Sequence, residues 1–426
     1  MAKQRSQARG LMTGLCVAVA VFVSVSSPAI ARADVVLTWN DLAVKTFIGQ
    51  GQSPFAQARY MAIVQLAVFD AVNAISRDYE PYIPLIAPVG SSPEAAAATA
   101  AYRVLKNYFP AAPLIDSEYA ASLAAIPDGP PKTNGIATGE AAAAAIIAKR
   151  VGDNSSPLTI SPVGPPVAGV WQITLPTGCA ATAVGGSFYN WQNVTPFAIN
   201  KVQDYLLPEP PVIGSATYAK DYNEVKNVGG VGSSQRPADR ADVARFYAAS
   251  SPAYVFNLAA RQTATARNLS LSKNARLLAL LNMASSDALV ASFYNKYQYN
   301  FWRPETAIRF PDKFNNLVSS DPSFAPYITT PCFPSYPSNH ASGSRSAATI
   351  LERIFGDAPV SITMTNPLNA AIANLQFNYT TFNQICNDID DARIYGGIHY
   401  RFDQEAGGRL ARAVAGTVYK NYLLKK

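Results

Sequence analysis

Apolar residues recur at helical spacing through most of this chain, and that periodicity restricts it to architectures in which helices pack on helices. Met61, Val64, Val68, Val72 and Ile75 recur at steps of three and four, with Pro54 suited to a first helical turn. Residues 93–108 and 139–151 are alanine-rich, which favours helix and close helix contact. Further helices are predicted over 241–249, 254–266, 339–355, 367–385 and 403–424. The last carries Leu410, Val414 and Val418 as a stripe at spacing four. A long helix is expected from a Ser272 cap onwards, bearing Leu277, Leu280, Leu281 and Leu289. Strand-like alternation is confined to the middle of the chain, so the fold class is mainly α, a helical bundle architecture.

The middle is different. Residues 155–213 are rich in Pro, Gly, Ser and Thr, with Trp171 and Trp191 among scattered β-branched residues. An irregular stretch this long inside a compact unit usually serves or covers a site. The chain therefore divides into an N-terminal helical half (34–154), an irregular excursion (155–235) and a C-terminal helical half (236–426), one compact unit overall. Before them, residues 1–33 read as an export signal. Lys3, Arg5 and Arg9 precede an apolar run, and Ala31-Arg32-Ala33 offers a cleavage site. The expected location is periplasmic or extracellular, with no stable membrane insertion after cleavage.

Removing the signal changes the charge. Lys3, Arg5, Arg9 and Arg32 leave with it, so 31 basic residues face 28 acidic ones and the net charge falls from +7 to +3. No basic block or aromatic-basic alternation points to nucleic acid. Cys179, Cys332 and Cys386 remain. They allow at most one internal disulfide, of unassigned pairing, or three buried thiols.

Histidine is the scarcest chemical resource. The chain has only His340 and His399, which excludes any site needing several imidazoles. Both fall in three short stretches that stand out: KYQYNFWRP at 296–304, PSYPSNHAS at 334–342 and ARIYGGIHYRFD at 392–403. Lys296, Arg303 and Arg393 supply cationic donors, and guanidiniums chelate oxyanions in bidentate fashion. Ser338 adds a hydroxyl where a helix should begin, with free backbone N–H groups beside it. Gly396 and Gly397 permit close approach of main chain. Three cations suit a tetrahedral, multiply charged oxyanion such as phosphate or vanadate better than a carboxylate. His399 and Asp403 stand four apart, neighbours on a helix face. Asp403 would fix the imidazole and present its other nitrogen as ligand or nucleophile. His340 would serve as acid or base.

In order and spacing, these stretches resemble the signature of the vanadium-dependent haloperoxidases and the type 2 phosphatidic-acid-phosphatase-like superfamily. Lys296 and Arg303 enclose six residues, Arg393 and His399 five, and His399 and Asp403 three. The segments around Arg59-Tyr60-Met61-Ala62 and Phe69 to Ile75 also look like exported bacterial members of the haloperoxidase branch. The resemblance implies two packed four-helix bundles. It implies vanadate as cofactor with His399 as its protein ligand, and Lys296, Arg303, Ser338, Asn339 and Arg393 around its oxygens. His340 would be the acid–base group, and Lys296 would polarise the peroxide. Hydrogen peroxide, a halide and a small organic acceptor are the implied partners, with homo-oligomerisation left open. Asn339 stands where the family has glycine, and Ala392 replaces a Ser or Thr. Phe333 matches an aromatic position near a halide site, and Trp302 is a second neighbour of that kind.

Three functions compete on these residues. The first is halide oxidation by peroxide at a His-ligated vanadate. The second is a secreted acid phosphatase, needing no cofactor, in which His399 attacks phosphorus and His340 protonates the leaving oxygen. The third is oxyanion binding without catalysis. The length, the helical N-terminal half and the aromatic residues Tyr297, Tyr299, Phe301 and Trp302 favour the first.

Overall fold

The computed structural model describes Met1 and residues 34–175, 178–311 and 313–426. The export-signal reading falls on residues 2–33, outside the described ones. From Asp34 to Lys426 the chain forms one compact unit, and the expected helical bundle architecture is what it adopts.

Its helices begin where the local chemistry satisfies their free N–H groups. Asp34 caps α1 (Val35–Gly49) by accepting from the N–H of Val36 at 2.8 Å and of Leu37 at 3.2 Å. Serine followed by proline starts α2 (Pro54–Ser76) and α3 (Pro93–Tyr108). Serine supplies the acceptor, while proline lacks the N–H that would be orphaned. α4 (Ile115–Ala124) and α5 (Pro130–Lys149) follow. The alanines of α3 are buried against α5 and α2, so the small side chains serve close packing.

Among its described residues the excursion carries two short 3₁₀ turns, Tyr189–Asn193 and Val202–Tyr205, and isolated bridges that pair Ser161 with Gly186 and Val170 with Phe301. It ends earlier than expected, because residues 216–228 form α6 (Ala216–Val228), capped by Ser215. α7 (Ala238–Ala248), α8 (Pro252–Ala266) and α9 (Leu271–Tyr299) come next. Ser272 is not the cap of α9. The cap position is Ser270, and the Ser272 hydroxyl instead donates to Asp78 Oδ2 at 2.6 Å. A short α10 (Pro304–Arg309) precedes α11 (Asn339–Phe355). The helix expected over 367–385 is not formed. A hairpin takes its place, β1 (Ile362–Thr365) pairing antiparallel with β2 (Gln376–Tyr379). Helix resumes at α12 (Phe382–Tyr395), where Thr381 and Gln384 form a reciprocal capping box. The last helix is α13 (Arg401–Asn421).

Helices α1, α2, α3 and α5 pack together in the N-terminal half, and α9, α11 and α13 in the C-terminal half, with α12 against α11. Contact between α2 and α9 joins the halves. Both are long and apolar enough to cross a membrane, but 89% and 94% of their most apolar windows are buried inside the protein. They are core helices by placement.

The excursion is tied to this frame by buried polar groups. Asp287 of α9 accepts from the N–H groups of Phe197, Ala198 and Ile199 at 2.7, 2.7 and 3.0 Å. Asn295 of α9 accepts from the Leu207 N–H at 2.8 Å. Cys179 and Cys332 form a disulfide, and Cys386 is a buried free thiol. The covalent link runs from the excursion to the loop just ahead of the second motif.

Candidate active site

Each of the three stretches arrives on a different element. Lys296 lies in the last turn of α9. Arg303 occupies the cap position of α10. Ser338 caps α11, its hydroxyl accepting from the Ala341 N–H at 3.4 Å. Arg393 is in the last turn of α12. His399 and Asp403 flank the start of α13. Main-chain bonds stitch the pieces together. Ser335 N–H donates to Phe301 O at 2.8 Å, and Ser338 N–H donates to Asp403 O at 3.0 Å.

The approach of α13 to Ser338 depends on Gly407. A methyl group at that position would lie 2.7 Å from Ser338 O and 2.9 Å from Ala341 Cβ. Gly397, at φ +81°, likewise permits contact, but with main chain at Gly229 and Pro326. Its close approach thus serves packing within the protein, and not an oxyanion as the sequence suggested.

The polar centre is dry and crowded with donors. Lys296, Arg303, Ser338 and Asp403 show no solvent exposure, and Arg393, His399 and Asn339 are buried. Lys296 Nζ donates to Pro334 O at 2.8 Å and Ser335 O at 2.7 Å, which leaves one of its three protons uncommitted. Arg303 Nε donates to Phe333 O at 2.8 Å. Its Nη1 donates to Ile398 O at 3.0 Å and meets His399 Nε2 at 2.9 Å. Arg303 Nη2, Arg393 Nε, Arg393 Nη2 and Asn339 Nδ2 are buried without a hydrogen-bond partner among the described residues. Leaving such groups unmet costs about 1–3 kcal/mol each, and more for charged ones, so this cluster is built for an acceptor-rich guest.

His399 is held from behind. Asp403 Oδ2 accepts from His399 Nδ1 at 2.7 Å, from Ser335 Oγ at 2.6 Å and from the Tyr400 N–H at 3.1 Å. With a proton on Nδ1, Nε2 carries the lone pair, consistent with its approach to the Arg303 guanidinium. The pair does not share a helix face as the spacing suggested. His399 precedes α13, and Asp403, in its first turn, reaches back past the cap residue Tyr400.

Electrostatics follow from burial plus crowding of like charge. Burial pushes both Arg303 and Arg393 down to about 9, with Arg303 adding repulsion on Arg393. Lys296 is pushed well below its usual value by burial and by Arg303. His340 and His399 are pushed well below 6.5 by burial and the surrounding cations, so both imidazoles are neutral at pH 7. Burial raises Asp403 to about 6 despite its hydrogen bonds. Three cationic side chains share this space with one carboxylate, which leaves an excess of positive charge.

Beside this centre lies a cavity of about 220 Å³. His340, His399 and Asn339 line it together with apolar side chains that include Phe55, Phe188, Leu289 and Phe333. His340 is half-buried in the first turn of α11. Phe333 also carries the cations of Arg303 and Lys296 at 5.1 and 5.3 Å from its ring centroid. Trp302 stands apart. It is fully buried against Phe310 and Phe314 and is absent from the cavity wall.

The sequence reading did not assign Ser335, although it lies inside the second stretch. Nor did it find Ser292, which donates to Asn339 Oδ1 at 2.6 Å, or the walls Phe55 and Phe188. Ser335 was visible as a second hydroxyl within a motif. Phe55 and Phe188 lie 241 and 108 residues ahead of Lys296 along the chain and carried no signal.

Residues 276–424 match the family model of the VCPO second helical-bundle domain. The vanadium chloroperoxidase of Curvularia inaequalis is 26% identical in an alignment of 175 residues, covering 31% of this chain and 28% of that protein. The chain thus matches less than a third of that relative's length. Among solved structures, a bacterial vanadium-dependent iodoperoxidase superposes with a TM-score of 0.79 at 22% identity, covering 94% of this chain and 99% of that one. The holo form of a bacterial vanadium-dependent chloroperoxidase gives 0.69 at 14% identity, over 86% and 91%. The likeness to vanadium-dependent haloperoxidases drawn from the three motifs is therefore borne out, and the fold is theirs.

Proposed function

We propose that this protein is a vanadate-dependent haloperoxidase, oxidising halide with hydrogen peroxide in the pocket between α9, α11, α12 and α13. The observation that carries the reading is the set of buried donors on Arg303, Arg393 and Asn339 that have no partner among the described residues, within an excess of positive charge. A tetra-oxo dianion supplies acceptors for those donors and charge for those cations, so the residues fit vanadate. Arg303, Arg393, Asn339, Ser338 and Lys296 would hold its oxygens, and His399 Nε2 would be its protein ligand. When bound, vanadate supplies activation of peroxide toward two-electron oxidation of halide while staying V(V).

The protein's own groups do the remaining work. Asp403 keeps the proton on His399 Nδ1 and so keeps Nε2 available. Ser335 holds the carboxylate in turn. Lys296, pinned by two carbonyls, directs its remaining proton toward the peroxide oxygen. His340 is neutral at pH 7 and half-buried on the cavity wall. It takes a proton from incoming peroxide and returns it to the departing oxygen. The dry cradle strengthens each of these interactions. The Cys179–Cys332 disulfide supports the further proposal that the protein is exported to an oxidising compartment.

The test is bromide and iodide oxidation by peroxide, with and without orthovanadate, beside hydrolysis of p-nitrophenyl phosphate. Vanadate-stimulated halide oxidation, lost in His399→Ala and mostly lost in His340→Ala with anion binding retained, is the expected result. Phosphate-ester turnover that vanadate only inhibits would replace this reading with the acid phosphatase. Saturable anion binding without turnover would replace it with a binding protein.

A further inference from the structure

Asn339 opens α11 beside the Ser338 cap and is 4% exposed. Its amide has two ends of nearly equal shape and opposite chemistry, a carbonyl that only accepts and an NH₂ that only donates. With no acceptor to meet, the surrounding excess of positive charge favours the carbonyl turned inward. The structure holds the other orientation. Ser292, fully buried on α9, donates from Oγ to Asn339 Oδ1 at 2.6 Å. That separation suits an O–H···O bond, for which about 2.5–3.0 Å is usual, and is short for the ~2.7–3.2 Å of an N–H···O bond. The carbonyl, not the NH₂, therefore faces the serine. Nδ2 is left buried, with no hydrogen-bond partner among the described residues. Asn339 also lines the cavity with His340 and His399, so its amide stands where cavity and cradle meet. A donor kept unmet among cations is unfavourable for the protein alone and favourable once an acceptor arrives.

We infer that Ser292 is a positioning residue for the oxyanion: it fixes the Asn339 amide so that Nδ2 donates to an oxygen of the guest. The inference rests on the oxyanion-binding part of the haloperoxidase reading and not on turnover. It makes the grip of the cradle depend on a residue of α9 that acts through another side chain. An amide free to turn would present its carbonyl for part of the time, and lone pair would then meet lone pair. Holding it in place removes that repulsion and the ordering otherwise required on binding.

Calorimetric titration of the purified protein with orthovanadate, and with inorganic phosphate as a second tetrahedral probe, measures the grip. Asn339→Ala keeps the backbone N–H and should weaken both about tenfold or more. Ser292→Ala should weaken both about fivefold in the wild-type background and less than about twofold beside Asn339→Ala, where no amide remains to be aimed. A loss of equal size in both backgrounds would mark Ser292 as packing alone and overturn the inference. The second readout is the side-chain NH₂ signal of Asn339 in ¹⁵N spectra of asparagine-labelled protein, identified by its disappearance in Asn339→Ala. Phosphate should move that signal in the wild type, and Ser292→Ala should reduce the movement by about half or more. A signal that phosphate leaves in place, or moves equally in Ser292→Ala, overturns the inference even if the double variant misfolds. A wild type that binds neither anion overturns the oxyanion reading itself.

Discussion

Replacing Arg393 by methionine should make the protein more stable while removing its response to vanadate. Arg393 is 2% exposed, and its Nε and Nη2 have no hydrogen-bond partner among the described residues. Burial and Arg303 push it from its usual range above 12 to about 9. The guanidinium is still protonated at pH 7 in both folded and unfolded chains, so the full cost of burying the charge falls on the folded state. At ~1.4 kcal/mol per tenfold change in acidity, that cost is roughly 5 kcal/mol. Methionine is of similar length, and imperfect repacking returns about 1.5 kcal/mol. A net gain of about 3 kcal/mol remains after modest relaxation of the charged state. For a chain of this size that is roughly 3–6 °C in melting temperature, because the shift per kcal/mol shrinks as domains grow. In the wild type, orthovanadate at a hundredfold excess over Kd should add ~2.7 kcal/mol, and in Arg393→Met almost nothing. Differential scanning fluorimetry with and without orthovanadate reads both effects. A variant less stable than wild type without vanadate, or one equally stabilised by it, would refute the claim that Arg393 is held as an uncompensated cation for an oxyanion.

Other expectations follow from the same geometry. Gly407→Ala should push α13 away from Ser338 O, costing about 1–3 kcal/mol and weakening vanadate binding, as read by chemical denaturation and titration; unchanged affinity would show that the α11–α13 spacing does not set the site. Oxyanion binding should take up protons between pH 6 and 7. His340 lies well below 6.5, and Asp403 is at about 6 before binding; an added negative charge raises both, while His399, ligated through Nε2, takes up none. Calorimetry in two buffers of different ionisation enthalpy measures the uptake, and net release would contradict it. Cys179→Ser with Cys332→Ser should cost about 2–5 kcal/mol and lower the protease resistance of the excursion, while cleavage kinetics equal to wild type would show the link to be dispensable.

The helices were legible where sequence period, cap and composition agreed. Residues 93–108 and 339–355 coincide with α3 and α11 because a serine cap and a small-residue or apolar stripe mark each. The stretch 367–385 misled, because its apolar residues invite a helical period. The chain there instead turns at Asn366 and pairs Gln376–Tyr379 with Ile362–Thr365. α1 and α4 were missed, although Asp34 at the start of α1 is an ordinary capping residue.

The motif spacing alone determined which groups are available: three cations, two imidazoles, a carboxylate and a capping serine, in a chain with no other histidine. Spacing acts locally, through single turns and caps, and so can be read along the chain. Tertiary structure decided what those groups do. Only packing of α9, α11, α12 and α13 buries the cations until their donors go unmet, drives the imidazoles neutral, and brings Phe55 and Phe188 to the cavity beside them. Desolvation and long-range contact depend on everything surrounding a residue, and no stretch of sequence carries its own surroundings.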